Sequence, residues 1–185
     1  ADSVQALIEA RRASATISYD PNIRPTLIAD AARARERVRQ LVSLADIVKV
    51  SDEDLGWLHP DRTPLDVARQ WRAAGPAIVI VTRGGNGATA VTADGVVEVP
   101  GLNVAVIDTV GAGDTFMAAV IDGVFEAGLA GRARWELLAR ISNHQLEEIL
   151  DTAVRAAAIT VSRQGANPPW RQELAGKGHS VSERL

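Results

Sequence analysis

Hydrophobic positions along the chain follow two periods, one typical of helices and one typical of strands. Spacings of three and four predict helices near residues 4–12, 30–44, 52–58, 63–73, 116–127 and 147–161. Short alternating or continuously apolar runs predict strands at residues 16–19, 46–50, 77–82, 88–92 and 96–99. Residues 128–143 are predicted to form a polar connection. Because strands alternate with helices, we expect an α/β layered fold with a largely parallel sheet.

The composition is that of a folded globular protein and excludes several functional classes. Hydrophobic residues make up 46% of the 185 positions and charged residues 23%. A net charge of -3 would attract neither nucleic acid nor an anionic membrane, so we expect neither as a partner. The chain has no cysteine, which excludes disulfides and thiolate chemistry. That absence agrees with a reducing compartment, and we expect a cytoplasmic location.

The ends of the sequence bear on its organisation. The chain begins with Ala1, and its only methionine is Met117. Either an initiator methionine was removed or the sequence is part of a longer protein. Within it we expect one domain over residues 1–170 and a flexible tail over residues 171–185.

A glycine-containing segment, I-D-T-V-G-A-G-D-T-F at residues 107–116, leads directly into an apolar helix. Gly111 and Gly113 permit a tight turn whose N–H groups point into one cavity, and the positive end of the helix dipole adds to it. Such a turn binds anions. Asp114 would repel an anion, so we expect it to accept the proton of a hydroxyl that attacks phosphorus. Alternatively, Asp114 only caps the helix.

The string D-T-V-G-A-G-D-T-F closely resembles D-T-x-G-A-G-D-x-F, the signature of ribokinase-like (pfkB) sugar kinases. This resemblance implies a Rossmann-like three-layer α/β sandwich, here without the family's amino-terminal strands and β-sheet lid. It also implies ATP-dependent phosphorylation of a monosaccharide hydroxyl, with Asp114 as the base. Gly111, Ala112 and Gly113 would form an anion hole. The N–H groups of Ala112, Gly113 and Asp114 would neutralise charge on the transferring phosphoryl group.

Two further segments resemble the family on the substrate and phosphate side. Residues 18–25 are similar to its D-x-N-x-R segment, which implies that Asn22 and Arg24 lie beside the transfer site. Turn chemistry alone could also explain these residues. Residues 48–54 resemble a strand that leads into an N-x-x-E element, with Lys49 on the phosphate side.

The N-x-x-E element helps to place magnesium in the family, and this chain departs from its pattern. Ser51 stands in place of Asn and Asp54 in place of Glu. Ser51 could be nothing more than a helix cap. Asp54 is one methylene shorter than Glu, so its water-mediated hold on Mg²⁺ is in doubt, and Glu53 could substitute for it.

The nucleotide side is indicated by resemblances in the second half of the chain. Residues 81–88 resemble the family's T-x-G-x-x-G turn, which implies that Thr82, Gly84 and Gly87 contact ATP, although the glycines could serve only to turn the chain. Residues 156–166 resemble the last helix and loop, with Ala158 beside the adenine. By the same resemblance, Asp108 and Val110 would bind a monovalent cation such as K⁺.

The substrate class follows from the resemblance alone. The chain looks most like fructokinases, with ribose and 2-keto-3-deoxygluconate kinases as alternatives. The implied partners are a small sugar and ATP, and the complete protein could form a homodimer. Without the lid, the isolated chain could be inactive, because water would compete with the sugar for the phosphoryl group.

Two other functions are alternatives to a sugar kinase. A dinucleotide-binding enzyme is disfavoured, because neither glycine-rich turn completes G-x-G-x-x-G with an acidic residue about 20 positions later. A non-catalytic remnant of a kinase, which senses nucleotide or binds a partner, is the second alternative. The presence of Asp114 argues against such decay.

Overall fold

A computed structural model of the chain describes residues 2–175. The helices are α1 (Asp2–Arg11), α2 (Ala31–Leu44), α3 (Asp52–Leu58), α4 (Pro64–Ala73), α5 (Ala112–Glu126), α6 (Trp135–Ala139), α7 (Asn143–Val161) and α8 (Arg171–Ala175). The strands are β1 (Ser18–Tyr19), β2 (Ile47–Ser51), β3 (Ile78–Thr82), β4 (Ala88–Val91) and β5 (Val96–Val99). Every predicted strand is therefore present, although β1 is only two residues long.

The strands form one sheet in the order β1-β2-β3-β4-β5. The pairs β1–β2 and β2–β3 are parallel, whereas β3–β4 and β4–β5 are antiparallel. The expectation of a largely parallel sheet is thus correct only for β1 to β3. The connections at residues 83–87 and 92–95 are too short for the helical crossover that parallel strands require, so β4 and β5 return as hairpins.

Helices cover both faces of the sheet, which confirms the three-layer arrangement. Successive side chains of a strand point to opposite faces. In β3, Ile78 and Ile80 pack with α5, α6 and α7. Val79 and Val81 pack on the other side with α2, α3 and α4. Because both faces are buried, residues 78–81 of β3 are all apolar, and not only alternate ones.

The two longest helices begin earlier than the hydrophobic pattern predicts. α5 begins at Ala112, not near residue 116, because its first residues, A-G-D-T, include no large apolar side chain and leave no trace in the pattern. α7 begins at Asn143, after Ser142, whose side chain accepts a hydrogen bond from the N–H of Gln145. The segment predicted as a polar connection contains the short helix α6.

The carboxyl-terminal part of the described chain packs on α5. Residues 171–175, which the sequence assigns to the predicted tail, form α8. Arg171 makes ion pairs with Asp122 and Glu126 of α5. Residues 176–185, the remainder of the predicted tail, lie outside the described residues.

Between residues 2 and 175, none of the helices combines the length and the apolar character needed to cross a membrane.

Candidate active site

The carboxyl ends of the parallel strands bring several predicted residues to one edge of the sheet. Asp20 directly follows β1, Ser51 ends β2 and Thr82 ends β3. Ser51 and Thr82 are register partners on adjacent strands. Ligands of open α/β sheets bind at this edge, because the loops and helix starts that follow the strands gather there.

The predicted anion hole lies at the start of α5. Gly111 is the residue before the helix and has φ +79°, a left-handed conformation that favours glycine. The N–H of Ala112 donates to the Thr109 carbonyl at 3.3 Å. Over the described residues, the N–H groups of Gly113 and Asp114 have no hydrogen-bond partner. Two of the three predicted donor groups are therefore free to donate a hydrogen bond to solvent or to a ligand.

Asp114 is the third residue of α5 and not its cap. The position before the helix is occupied by Gly111, and no side chain caps this end. The carboxylate of Asp114 is exposed and makes no hydrogen bond or ion pair within the described chain. A carboxylate in the first turn stabilises a helix through the dipole, by about 0.3–1 kcal/mol. The N-cap alternative is thereby set aside, and the side chain is available to a substrate.

Lys49 connects the sheet to this loop. Its ammonium lies so close to the loop that a Cβ placed on Gly113 would be 2.7 Å from the Lys49 Nζ. Lys49 is only 6% exposed, and its Nζ makes an ion pair with the Asp20 carboxylate at 2.8 Å. A buried ammonium is costly unless it is paired, so Asp20 accounts for the presence of a lysine in this strand.

Asp20 is the first residue of the D-x-N-x-R segment, but sequence analysis gave it no role of its own in the candidate site. The signal was available, because Lys49 interrupts an otherwise apolar buried strand and must have an anionic partner. Nothing in the sequence indicated which carboxylate that partner would be. The tertiary pairing of β1 with β2 selects Asp20.

Asn22 and Arg24 lie in the turn that follows Asp20. The second oxygen of Asp20 accepts a hydrogen bond from the Asn22 N–H at 3.2 Å, and Asn22 has φ +43°. Arg24 donates to the carbonyl of Ile23 at 2.9 Å, and both side chains are exposed. Turn chemistry thus accounts for the backbone of this segment. Contact of Asn22 and Arg24 with a substrate stays a prediction.

The predicted magnesium element is the start of α3. The Ser51 hydroxyl accepts a hydrogen bond from the Asp54 N–H at 3.0 Å and caps the helix. Asp54 is half-buried, whereas Glu53 is exposed. In the part of the chain that the structure describes, no three acidic or histidine side chains cluster to hold a metal. Magnesium that arrives on ATP needs only one or two protein carboxylates, and Asp54 fits that requirement.

Asp108 fastens the anion loop to the loop after α7. One carboxylate oxygen accepts the Val110 N–H at 3.0 Å and the other accepts the Gly165 N–H at 2.9 Å. These hydrogen bonds lower the pKa of Asp108 below its usual value, and the bond from Val110 has the largest effect. The two loops also touch where a Cβ on Gly111 would lie 2.9 Å from the Cβ of Ala166. Protein groups alone therefore join these loops, and cation binding at Asp108 and Val110 stays a prediction.

The predicted nucleotide residues fall into two groups. Thr82 and Gly84 lie at the carboxyl end of β3, and Gly84 is exposed with φ +52°. Gly87 is buried, and a Cβ there would lie 2.1 Å from the Val99 carbonyl oxygen. Ala158 is 8% exposed on α7. Only Thr82 and Gly84 are thus accessible at the edge of the sheet, and contact with ATP stays a prediction for all four.

Comparison with known proteins gives consistent matches. The sequence profile of the pfkB family carbohydrate kinases matches residues 1–173. A fructokinase of Rhizobium leguminosarum bv. trifolii is 42% identical over 120 residues, which are 65% of this chain and 37% of that protein. A fructokinase of Escherichia coli is 33% identical over 175 residues, 91% of this chain and 53% of that protein.

The fold is also similar to solved structures. A fructokinase from Xylella fastidiosa with bound ATP superimposes with a TM-score of 0.77 at 26% identity. The match covers 89% of this chain and 51% of that one. The chain thus spans about half, or less, of the length of the relatives it matches.

Proposed function

Because this chain belongs to the pfkB family of carbohydrate kinases, we propose that it transfers the γ-phosphoryl group of ATP to a hydroxyl of a monosaccharide. The observation that carries the proposal is that three features lie at or beside the start of α5. They are the open N–H groups of Gly113 and Asp114, the unpartnered carboxylate of Asp114, and the buried ammonium of Lys49.

The first task of such a site is to neutralise charge. The transferring phosphoryl group passes through a loose transition state with charge on its three equatorial oxygens. The N–H groups of Gly113 and Asp114 are fixed at the positive end of α5 and can donate to these oxygens. Lys49 adds a full positive charge beside them. Since these groups are held by the fold, little reorganisation is needed when the charge develops.

Asp20 keeps the Lys49 ammonium available. An ammonium has three donors, and the Asp20 carboxylate accepts one of them. The other two can donate to phosphate oxygens. Asp20 thus offsets the cost of burying Lys49 without blocking it, and it directs Nζ toward the loop at Gly113.

The second task is to accept a proton. As the sugar oxygen attacks the γ-phosphorus, the bond from this phosphorus to the oxygen of the β-phosphate breaks and ADP leaves. The hydroxyl proton passes to the carboxylate of Asp114, which lies next to the phosphate-binding N–H groups. An ordinary carboxylate is basic enough, because the loose transition state demands alignment more than strong proton abstraction.

Ions complete the proposed site. Bound Mg²⁺ would neutralise the β- and γ-phosphates, and Asp54, with Ser51 beside it, would hold it through water. A monovalent cation such as K⁺ would bind at Asp108 and Val110, where it would add to the bonds that already order the loop. These assignments rest on the family resemblance, and the half-buried position of Asp54 supports the first.

The proposed sugar is fructose. The curated relatives with which the chain shares 33% to 42% identity are fructokinases. Ribose and 2-keto-3-deoxygluconate are the alternatives, since solved structures described as ribokinases share the fold. We propose a cytoplasmic enzyme that binds a sugar and ATP, and neither nucleic acid nor a membrane, with a homodimer as the state of the complete protein.

The test is sugar phosphorylation by the natural protein and by Asp114→Asn, with ADP formation as the readout. Loss of a general base typically costs about 100- to 10,000-fold in turnover, so we expect this loss in kcat. Binding of a non-hydrolysable ATP analogue, measured by thermal stabilisation with Mg²⁺, should persist. Asp151→Asn on α7 is a matched control, because Asp151 is exposed and no hydrogen bond or ion pair among the described residues joins it to the site.

Two results would contradict the proposal. If Asp114→Asn keeps its turnover within about fivefold of the unmodified protein, Asp114 is not the base. If no sugar is phosphorylated and no ATP analogue stabilises the protein, a non-catalytic interaction role is favoured instead.

A further inference from the structure

A pair of buried hydroxyls joins the helix that carries Asp114 to the last turn of α7. The Oγ1 atoms of Thr115 and Thr160 lie 3.0 Å apart. Thr115 is 8% exposed and Thr160 is fully buried. A buried hydroxyl without a hydrogen-bond partner destabilises the fold. The conformation in which the two threonine hydroxyls bond each other is therefore strongly favoured.

The hydrogen bonds of this pair run from Thr115 through Thr160 to the carbonyl of Ala156. The Thr160 hydroxyl is also 3.1 Å from the Ala156 carbonyl of its own helix. A hydroxyl has one proton, so when Thr160 donates to Ala156, Thr115 donates to Thr160. Thr160 therefore has a second partner, whereas Thr115 has only Thr160. The position of the Thr115 side chain depends on α7.

This contact adds a hydrogen bond to the apolar packing that holds the start of α5 against α7. Within the described residues, no other side-chain hydrogen bond joins residues 112–115 to another element. The turn has no side-chain cap at Gly111, and its backbone bonds are local. Successive helical residues are rotated by about 100°. Holding Thr115 inward thus holds Asp114 outward, and any rotation of the turn moves both.

We propose that Thr115 and Thr160 are positioning residues that set the rotation of the first turn of α5. They thereby aim the carboxylate of Asp114 and the open N–H groups of Gly113 and Asp114 at one point. Thr160 is suited to this task because it lies in the last turn of α7, just before the loop whose Gly165 is bonded to Asp108. The same end of α7 thus fixes the anion loop on both sides of Gly111.

Three substitutions in the full-length protein distinguish the effect of the Thr115 hydroxyl from the effect of the side-chain shape. Thr115→Val keeps the shape and removes the hydroxyl, whereas Thr115→Ser keeps the hydroxyl and removes a methyl group. Thr152→Val is the matched control, because Thr152 is also on α7 and bonds its own helix at Glu148, 3.0 Å away, without a partner on α5. Thermal unfolding of each variant shows whether it folds.

The first readout is the split between kcat and KM, and it rests on the proposed function. We expect Thr115→Val to lower kcat by about tenfold while KM for ATP stays within about threefold. The groups that contact the ligand remain, and only the orientation of the Asp114 carboxylate and the N–H groups changes. Thr115→Ser should keep kcat within about threefold of the unmodified protein, and Thr152→Val should do the same. A general loss of packing would instead affect Thr115→Ser as much as Thr115→Val.

The second readout does not depend on any activity. Hydrogen exchange of the hydrogen-bonded amides at residues 112 and 115, corrected for the intrinsic rate of each side chain, should be about tenfold faster in Thr115→Val than in Thr115→Ser. Equal exchange in these two variants overturns the inference. If the exchange differs but no sugar is phosphorylated by any form, the proposed function fails while the positioning role stands. Thr160→Val, which leaves Thr115 without its partner, should reproduce the faster exchange.

Discussion

Two turns with left-handed glycines differ in what approaches their backbone. In the turn at residues 84–87, Gly87 packs so tightly that a Cβ would meet the Val99 carbonyl oxygen at 2.1 Å. In the turn at residues 111–113, Gly113 faces the ammonium of Lys49. The first turn is closed by the protein's own backbone. The second leaves N–H groups open beside a positive charge, as an anion site requires.

The difference shows that a glycine can indicate a closely packed position, but the glycine alone does not show whether backbone or a side chain packs against it. At Gly87 the neighbours are backbone atoms of residues 99–101, which give way less easily than the end of a side chain. At Gly113 the neighbour is the end of a flexible side chain. A methyl group at the two positions should therefore affect different quantities, namely stability at the first and turnover at the second.

The largest effect is expected for Gly87→Ala. The residue would have to keep φ +89° and make room at the Val99 carbonyl. With ψ -140°, this backbone conformation is adopted almost only by glycine and costs another residue about 1–3 kcal/mol. Overpacking costs about 1–3 kcal/mol. We expect the free energy of unfolding to fall by about 3–4 kcal/mol, measured by urea denaturation. A loss below about 1 kcal/mol would show that residues 99–101 move aside and that the closed-turn interpretation is wrong.

The fold was largely predictable because hydrophobic patterns report burial directly. The apolar run of β3 indicated a strand buried on both faces, and helices do cover both faces there. The start of α5 was not predictable in the same way. Its first turn is held by the dipole, the left-handed Gly111 and the Thr115–Thr160 bond, none of which affects hydrophobic spacing.

A smaller effect, on turnover and not on stability, is expected for Gly113→Ala. The new Cβ would lie 2.7 Å from the Lys49 Nζ, so the ammonium must move away from the open N–H groups. A displacement of about 1 Å can cost about 100-fold, and we expect kcat to fall by about that factor. The free energy of unfolding should stay within about 1 kcal/mol, because alanine is the better helix former.

A matched control and a double substitution identify the cause. Gly56→Ala introduces the same change in α3, where no atom lies within 4 Å of the new Cβ, and it should leave kcat unchanged. If Gly113→Ala acts through Lys49, then adding it to Lys49→Met should lower kcat no further than Lys49→Met alone. Additive losses would mean that the methyl group obstructs phosphate directly and that the Lys49 explanation is wrong.

The candidate site was predictable in its residues but not in their connections. The motif around Asp114 indicated the anion loop, and the structure places that loop beside Lys49. The Asp20–Lys49 pair depends on strand pairing, and the Asp108–Gly165 bond joins positions 57 residues apart. Such contacts are set by tertiary packing, and a single sequence carries no local signal for them.

The smallest effect is expected for Gly84→Ala, which lies in the same turn as Gly87. Its φ is also positive, at +52°, but no atom lies within 4 Å of the position of a Cβ. Only the conformational cost applies, so the free energy of unfolding should fall by about 1 kcal/mol. If the backbone of this turn approaches ATP, the methyl group should also weaken binding of an ATP analogue by about tenfold. Unchanged affinity, measured by calorimetry, would place the nucleotide elsewhere and leave Gly84 with only the task of turning the chain.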